Sequence, residues 1–342
     1  MQSSRFIFAV IIVFFSIGLL PGAAHGVAYS ASADGVYVAA QVDAPKHAGI
    51  WLYQVSSNTW TRLANRPGAV QWLPGHRQLV VGRATAGTVA FSYLTVDGKE
   101  EPLRSPGTCC YDWKVLPDGS GIVATCDRPK KKTGIAICLY RFVDGTWRSI
   151  ATYPHVDHDK GTGDHIALRK LNGVWILSCH ERGPSDSRSL WVNLATGKYT
   201  LGDEGDPLNH YSPDGTYVIG EDRYARNIPF RIWLARHWPG PGRQRNVLGK
   251  AIGTLPEKVQ ISGQDCWAPD SRHIASIQRE EDGMSRGYLV LDLQGKIVAH
   301  GQGHVLDWIG GNRLLVQTGA ETLVIRSISG GKEQAVARPP WQ

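Results

Sequence analysis

Tyr211-Ser212-Pro213-Asp214-Gly215 precedes the apolar run Tyr217-Val218-Ile219, and Trp267-Ala268-Pro269-Asp270-Ser271 precedes His273-Ile274-Ala275. Each stretch places an aromatic residue before a turn and a β-rich run after it. Proline presets the backbone at the first central position of a turn, and Asp, Asn or Gly is favoured at the next. The two stretches are therefore copies of one strand–turn–strand unit.

Weaker copies of this turn occur along the whole chain after residue 26. With Asp214 as the anchor position, the copies fall at residues 34, 75, 118, 172, 214, 270 and 310, at intervals of 40 to 56 residues. Self-similarity at such a period is typical of propellers, in which each repeat forms a four-stranded blade.

A second turn signal follows each anchor within the same repeat, and an apolar run such as Ile50-Trp51-Leu52-Tyr53 lies between the two turns. The second signals are Ser57-Asn58, Asp97-Gly98, Asp144-Gly145, Thr196-Gly197, Pro239-Gly240, Gln294-Gly295 and Gly330-Gly331. Two turns in register divide each repeat into four strands, A to D. The sequence therefore predicts an all-β propeller of four-stranded blades, seven in number, or six if one weak repeat is only a long loop.

The Trp/Tyr-Ser-Pro-Asp-Gly unit resembles the repeat of TolB-like propellers, which also occurs in the propeller domains of prolyl-oligopeptidase-type enzymes. The resemblance implies the fold over nearly all of the chain after Gly26 and is almost silent on activity. TolB carries an α/β domain before its propeller, and we expect none between Gly26 and the first repeat. The oligopeptidases carry a Ser-His-Asp hydrolase domain, and the sequence has no G-x-S-x-G elbow.

The first 26 residues have the layout of a cleaved secretory signal. Arg5 precedes an apolar stretch over residues 6–20, and Ala24-His25-Gly26 offers small residues before a cut. The stretch is shorter than the roughly 20 residues that a membrane span needs. We expect the signal peptide over residues 1–26, the propeller over 27–337 and a surface tail over 338–342. The mature protein is then periplasmic or secreted, without a membrane span.

The formal net charge is +7, and the basic residues are spread along the chain, apart from the run Lys130-Lys131-Lys132. Spread charge is typical of a solvated surface, so nucleic acid is not an expected partner. Helical periodicity is nearly absent and no glycine-rich phosphate loop follows a strand, which makes nucleotide-dependent enzymes improbable. We expect a monomer.

All six cysteines follow residue 26, where export permits disulfides. The repeat places Cys126 and Cys138 on two arms of one hairpin, so these two can pair. Cys110 can reach Cys126 instead, across the preceding hairpin, and sequence alone leaves both pairings open. Cys179 and Cys266 are expected to be buried free thiols.

Strand A of a propeller blade lines the central channel, and the B–C and D–A connections open on one face. A ring of polar residues near one channel mouth is therefore a candidate ligand site, and capping of strand ends is the alternative role for each of them. The candidate ligand-binding residues are Asp112, Lys114, Arg169, His210 and Asp307.

Histidines are the main candidate metal ligands in this sequence. Three imidazoles and three carboxylates lie between His155 and His165, a donor set that divalent transition metals prefer. Some propellers of the TolB-like kind are pectin-fragment lyases whose channel histidines hold a divalent metal. By analogy, the resemblance implies His165, His180, His210 and His304 as ligands, with Lys114 or Arg169 removing the proton that the metal acidifies.

Two functions follow from these observations. The first is a non-catalytic scaffold that binds a protein or an envelope component; it has no cofactor, and its partner-binding loop is residues 221–230. That loop contains Arg223, Tyr224, Arg226 and Phe230, residue types that anchor interfaces. The alternative is a metal-dependent polysaccharide lyase or hydrolase of the oligogalacturonate type, acting at the channel mouth.

Overall fold

The computed structural model is a seven-bladed β-propeller. It describes residues 27–342 except 86–87, 128–133, 154–162, 172, 183–186, 203–210, 221–230, 236–247, 257–258, 261–266, 280–284 and 321. The described residues contain no helix. None of them therefore forms a helical segment long and apolar enough to cross a membrane.

Each blade is one antiparallel sheet whose strands follow one another in chain order. The first three blades contain β1 Val27–Ala31, β2 Tyr37–Val42, β3 Gly49–Gln54, β4 Thr59–Ala64; β5 Ala69–Trp72, β6 Gln78–Thr85, β7 Thr88–Thr95, β8 Glu100–Pro102; and β9 Cys110–Val115, β10 Gly121–Asp127, β11 Ile135–Arg141, β12 Thr146–Tyr153. The other four contain β13 Gly163–Leu171, β14 Val174–Arg182, β15 Ser187–Asn193, β16 Tyr199–Gly202; β17 Tyr217–Gly220, β18 Arg231–Ala235, β19 Leu248–Thr254; β20 Val259–Gln260, β21 Ile274–Arg279, β22 Ser285–Leu291, β23 Ile297–Gly301; and β24 His304–Ile309, β25 Arg313–Gln317, β26 Leu323–Ser327, β27 Gln334–Ala335.

The predicted phasing of the repeat is confirmed. The first strand begins at Val27 and the last ends at Ala335, so every blade takes its strands from a single repeat. In the fifth blade the described part of strand A forms a bridge between Tyr211 and Val218. First strands contact one another at four blade boundaries, β24 with β1, β1 with β5, β5 with β9 and β9 with β13, and they form the innermost part of the ring.

The Ser-Pro-Asp-Gly turn is closed by a hydrogen-bond network that the sequence repeats. In the fifth blade the Ser212 hydroxyl donates to Asp214 Oδ1 at 2.6 Å and accepts from the Tyr217 N–H at 3.0 Å. Asp214 Oδ1 also accepts from the Thr216 N–H at 3.0 Å. Ser32 and Asp34 make the same three bonds in the first blade. The motif is therefore a self-satisfied connection between strands A and B.

The same turns join neighbouring blades. Gly215 has φ of +73°, and a Cβ added there would lie 2.1 Å from the Lys170 carbonyl of the fourth blade. Only glycine fits both the left-handed backbone and this close approach. In the sixth blade Ser271 takes the corresponding position with φ of +58°, and its hydroxyl accepts from the Asp214 N–H at 3.2 Å. Contacts with a neighbouring blade thus explain why this turn position is glycine in the fifth repeat and serine in the sixth.

The core consists of apolar clusters that lie between blades. Between the second and third blades, Trp113 contacts Phe91 edge to face at 5.4 Å, and Phe91 also packs against Trp147. Between the first and second, Tyr37 stacks on Trp72 at 6.0 Å. Because strand-B residues such as Val38 and Val123 are fully buried, the continuous apolar runs of the sequence correspond to strands covered on both faces.

Of the two cysteine pairings that the sequence left open, the structure contains Cys110–Cys126, which joins the directly opposed strands β9 and β10. Cys138 lies buried in the same cluster as a free thiol, and burial raises its pKa to about 11. Cys109 is a partly exposed thiol; burial, together with the neighbouring Asp127, raises its pKa. Cys266 and the side chain of Cys179 lie outside the described residues.

The expectation of a surface tail is wrong for Trp341. Its side chain is 8% exposed and packs with Ala40, Val42 and Trp51 of the first blade. Prolines do keep the tail out of a strand, as expected. The large apolar surface of an indole nevertheless favours burial wherever a cleft is within reach.

We expect Ser212→Ala to destabilise the protein by about 2 kcal/mol, because it removes two partners from a buried turn. Thermal or urea unfolding of the purified protein measures the change. Gln54→Ala, at an exposed position in β3, is the matched control and should change stability by less than about 0.5 kcal/mol. Equal stability of Ser212→Ala and the control would contradict the proposed role of the turn network.

The turn carboxylates also make stability depend on pH. Burial acts to raise the pKa of Asp214, but hydrogen bonds from Ser212 and Thr216 outweigh it and hold the pKa below its ordinary value. Asp34 and Asp118 are shifted in the same direction. A lowered folded-state pKa contributes stability that is present above the ordinary value and is lost as the pH falls through the folded pKa.

The unfolding temperature should therefore fall as the pH is lowered below about 4, the ordinary range of an aspartate. Asp214→Asn should make this fall shallower, and Asp43→Asn, at an exposed position outside the turns, should leave it unchanged. Scanning calorimetry between pH 6 and the acid limit of folding gives both slopes. A steeper slope for Asp214→Asn than for the unmodified protein would refute the assignment.

Candidate functional site

The innermost strand of each blade is a sheet edge, with a partner strand on one side only. Every second residue of such a strand directs its N–H and C=O away from the sheet, towards the channel. Buried main-chain groups need hydrogen-bond partners, so we expect polar side chains of the inner ring to provide them. At three blade boundaries, described inner-ring side chains provide these partners.

Asp307 joins the seventh blade to the first. Its Oδ2 accepts from the Ala31 N–H at 2.7 Å, and its Oδ1 accepts from the Trp308 N–H at the same distance. Ala31 ends strand β1, and its N–H points away from β2 because Ser30 and Ser32 carry the ladder bonds on either side. A carboxylate at this position therefore replaces the missing neighbouring strand.

Gln71 makes the corresponding connection from the second blade to the third. Its amide nitrogen donates to the Trp113 carbonyl at 2.9 Å, and its amide oxygen accepts from the Val115 N–H at 2.9 Å. This one side chain thus provides hydrogen-bond partners for both a carbonyl and an N–H on the inner edge of β9. Sequence reasoning missed this residue, although its place two residues before the A–B turn matches that of Lys114 and His210.

Arg169 connects the fourth blade to the fifth. Its side chain is buried, and its Nε donates to the Tyr211 carbonyl at 2.7 Å. A second guanidinium nitrogen donates to the Leu168 carbonyl at 2.9 Å. At three blade boundaries, therefore, a polar side chain of one inner strand bonds to the main chain of the next inner strand.

Asp112 and Lys114 lie on β9, which adjoins the β13 strand that carries Arg169. Both side chains are partly exposed, and the Asp112 N–H bonds to the Thr125 hydroxyl at 3.2 Å. The structure brings these three predicted residues to neighbouring inner strands, while Asp307 lies at the boundary of the seventh and first blades. His304 begins β24, opposite Gln317, and is partly exposed.

Several predicted residues cannot be located in this geometry. The described residues exclude His210, the loop residues Arg223, Tyr224, Arg226 and Phe230, and the side chains of His165 and His180. Within the part of the chain that the structure describes, no three His, Cys, Asp or Glu side chains are grouped to hold a metal ion. A metal site involving the predicted histidines stays a prediction.

No family profile matches this chain, and no curated protein matches its sequence. Solved structures match its fold. An oligogalacturonate lyase in complex with manganese is 14% identical, and the match covers 92% of this chain and 90% of the lyase at a TM-score of 0.57. The propeller domain of the Trilobed protease from Pyrococcus furiosus, described as an open velcro topology, is 10% identical, with 92% and 95% coverage and a TM-score of 0.57.

TolB from Acinetobacter baumannii is 15% identical, with 91% and 79% coverage and a TM-score of 0.44. The chain spans 34% of the length of the tricorn protease, which it matches at a TM-score of 0.57. These likenesses show the propeller fold.

Gln71→Ala should destabilise the protein by about 2 kcal/mol, since it leaves a carbonyl and an N–H of β9 without a partner. Gln54→Ala again serves as the matched exposed glutamine. Urea unfolding followed by circular dichroism measures both. If the two variants unfold at the same urea concentration, the inner-edge bonds do not stabilise the ring.

Proposed function

We propose that this chain is an exported propeller of the TolB-like kind that binds a protein or a cell-envelope component without catalysis. The binding surface is the face that carries the B–C and D–A connections, which we call the variable face. The opposite face, formed by the A–B and C–D turns, is the turn face.

The difference between the A–B turns and the B–C connections supports this assignment. The A–B turns are short, with two to six residues between strands A and B, and those of the first and fifth blades close their own hydrogen bonds. On the variable face, the B–C connections range from two residues, between β6 and β7, to ten, between β17 and β18. Specific recognition in proteins is concentrated in connections that vary in length on a rigid scaffold.

The longest B–C interval, between Gly220 of β17 and Arg231 of β18, is the 221–230 segment that the sequence singles out, and it lies outside the described residues. Its Arg223, Tyr224, Arg226 and Phe230 are of the residue types that supply most of the binding energy in protein interfaces. We assign the partner-binding role to these four residues.

The inner ring supports a non-catalytic role as well. Arg169 and Asp307, two charged residues of the kind that channel chemistry would use, make hydrogen bonds across blade boundaries. A charged group that serves as a main-chain partner is positioned for the fold rather than for a reacting substrate. This is the single observation that most favours binding over catalysis.

Export is supported by the signal-like sequence of the first 26 residues and by the Cys110–Cys126 disulfide. Disulfides persist in oxidising compartments, as in the periplasm or outside the cell. The alternative function, a metal-dependent lyase, depends on His165, His180, His210 and His304, and its support is the fold it shares with the manganese-bound oligogalacturonate lyase.

Affinity capture from an envelope fraction of the source cells tests the proposal. A variant with Arg223, Tyr224, Arg226 and Phe230 changed to alanine should lose a partner that the unmodified protein retains. A control variant on the turn face, Thr196→Ala with Lys198→Ala, should retain it. Loss of the partner in both variants, or in neither, would reject the 221–230 loop as the binding site.

Metal analysis of the purified mature protein addresses the alternative. The scaffold function predicts no stoichiometric manganese, zinc or calcium after dialysis against buffer without chelator. One bound metal per chain that disappears in a His165→Ala, His210→Ala double variant would replace the scaffold with the lyase.

A further inference from the structure

The boundary between the seventh and first blades differs from the other six. Each of the others is crossed by a D–A connection, such as residues 65–68 between β4 and β5. The seventh and first blades are separated by the whole length of the propeller sequence and meet only through non-covalent contacts. Bringing such distant segments together costs conformational entropy, so this boundary needs contacts that the others do not.

The segment 336–342, which we call the latch, provides such contacts. It leaves β27 and crosses to the C–D turn of the first blade. There the Ala337 N–H donates to Asn58 Oδ1 at 2.7 Å, and Trp60 Nε1 donates to the Ala337 carbonyl at 2.9 Å. Just before the latch, the Gln334 amide donates to the Val55 carbonyl at 2.9 Å.

The end of the latch is preorganised to present an indole. The Gln342 N–H bonds to the Pro339 carbonyl at 3.2 Å, which makes residues 339–342 a turn with Pro340 at its first central position. Proline favours that position because its φ is already set. Trp341 then lies 5.5 Å from Trp51 and 4.8 Å, edge to face, from Trp60.

Trp341 is seated by packing, without a polar partner. Its Nε1 is buried and has no hydrogen-bond partner among the described residues, and the same is true of Gln342 Oε1. A buried N–H without a partner weakens an association that apolar contact drives. The latch is held on the first blade by aromatic contacts and by the two hydrogen bonds of Ala337, and on the seventh blade by the bond from the Val336 N–H to the Leu323 carbonyl. The contact with the first blade, which consists mainly of aromatic packing, permits release.

We propose that segment 336–342 is a releasable latch that closes the propeller ring, and that the cleft between Trp51, Trp60 and Asn58 is a binding site for a peptide of this sequence, whose last four residues, Pro-Pro-Trp-Gln, form a turn. The occupant is the chain's own segment. Grooves lined by aromatic rings bind proline-containing peptides because such peptides lose little conformational entropy.

Trp341→Ala tests the latch in the full chain. It should lower the unfolding temperature by about 5 °C, as expected for removing a buried indole from a chain of this size. Lys332→Ala, an exposed residue between β26 and β27, is the control and should shift the temperature by less than about 1 °C.

Hydrogen exchange separates a latch from a general stabilising contact. In Trp341→Ala the loss of protection should be confined to the first and seventh blades, for example β1, β3 and β26, and should spare β10 and β14. An unchanged pattern, or an equal loss in all seven blades, would overturn the proposal.

The cleft is tested with the latch supplied as a separate molecule. A variant that ends at Ala335 should bind an acetylated peptide of residues 336–342 in calorimetric titration, and the peptide should restore part of the lost unfolding temperature. The same peptide with alanine in place of Trp341 should not bind, and the full-length protein should bind the unmodified peptide at least tenfold more weakly. Equal binding by the full-length and shortened proteins would refute the cleft, and if the shortened chain does not fold, the exchange pattern of Trp341→Ala decides.

Discussion

The inner edge of each blade is the constraint on which the ring depends. A strand that begins a sheet has main-chain groups without a ladder partner, and the first strands of propeller blades surround a central channel. Asp307, Gln71 and Arg169 provide partners at three boundaries by bonding to the main chain of the next blade. Each of these bonds joins a blade to its immediate neighbour.

Apolar packing between blades adds stability that the polar bonds alone do not provide. The rings of Phe91, Trp113 and Trp147 and the buried strand-B residues fill the wedges between sheets. The turn motif closes its own hydrogen bonds and also touches a neighbouring blade, as Gly215 does with Lys170 of the preceding blade. The A–B turns therefore help to hold the fold together. The opposite face carries the B–C connections that we associate with recognition.

The boundary between the first and seventh blades closes the ring without a shared blade. The first and seventh blades are built from their own strands, and their boundary combines the Asp307 bond, an apolar cluster around Tyr53 and Ile325, and the Trp341 contact. At the other boundaries a D–A connection holds the two blades close together. At this boundary side-chain contacts, including those of Trp341, hold the two blades together.

The sequence by itself determined the fold class, the phase of the blades and the positions of the turns, and it favoured seven blades over six, because turns related to Ser-Pro-Asp-Gly and apolar strands are local signals that recur along the chain. It also indicated that Asp307 and Arg169 lie on inner strands. Only the tertiary structure decided that these two residues bond across blades, that Gln71 joins them, that Cys110 pairs with Cys126 and that Trp341 is buried. Each of these facts depends on which residues of separate strands or blades face one another, and that arrangement is set by packing around the whole ring rather than by any single repeat.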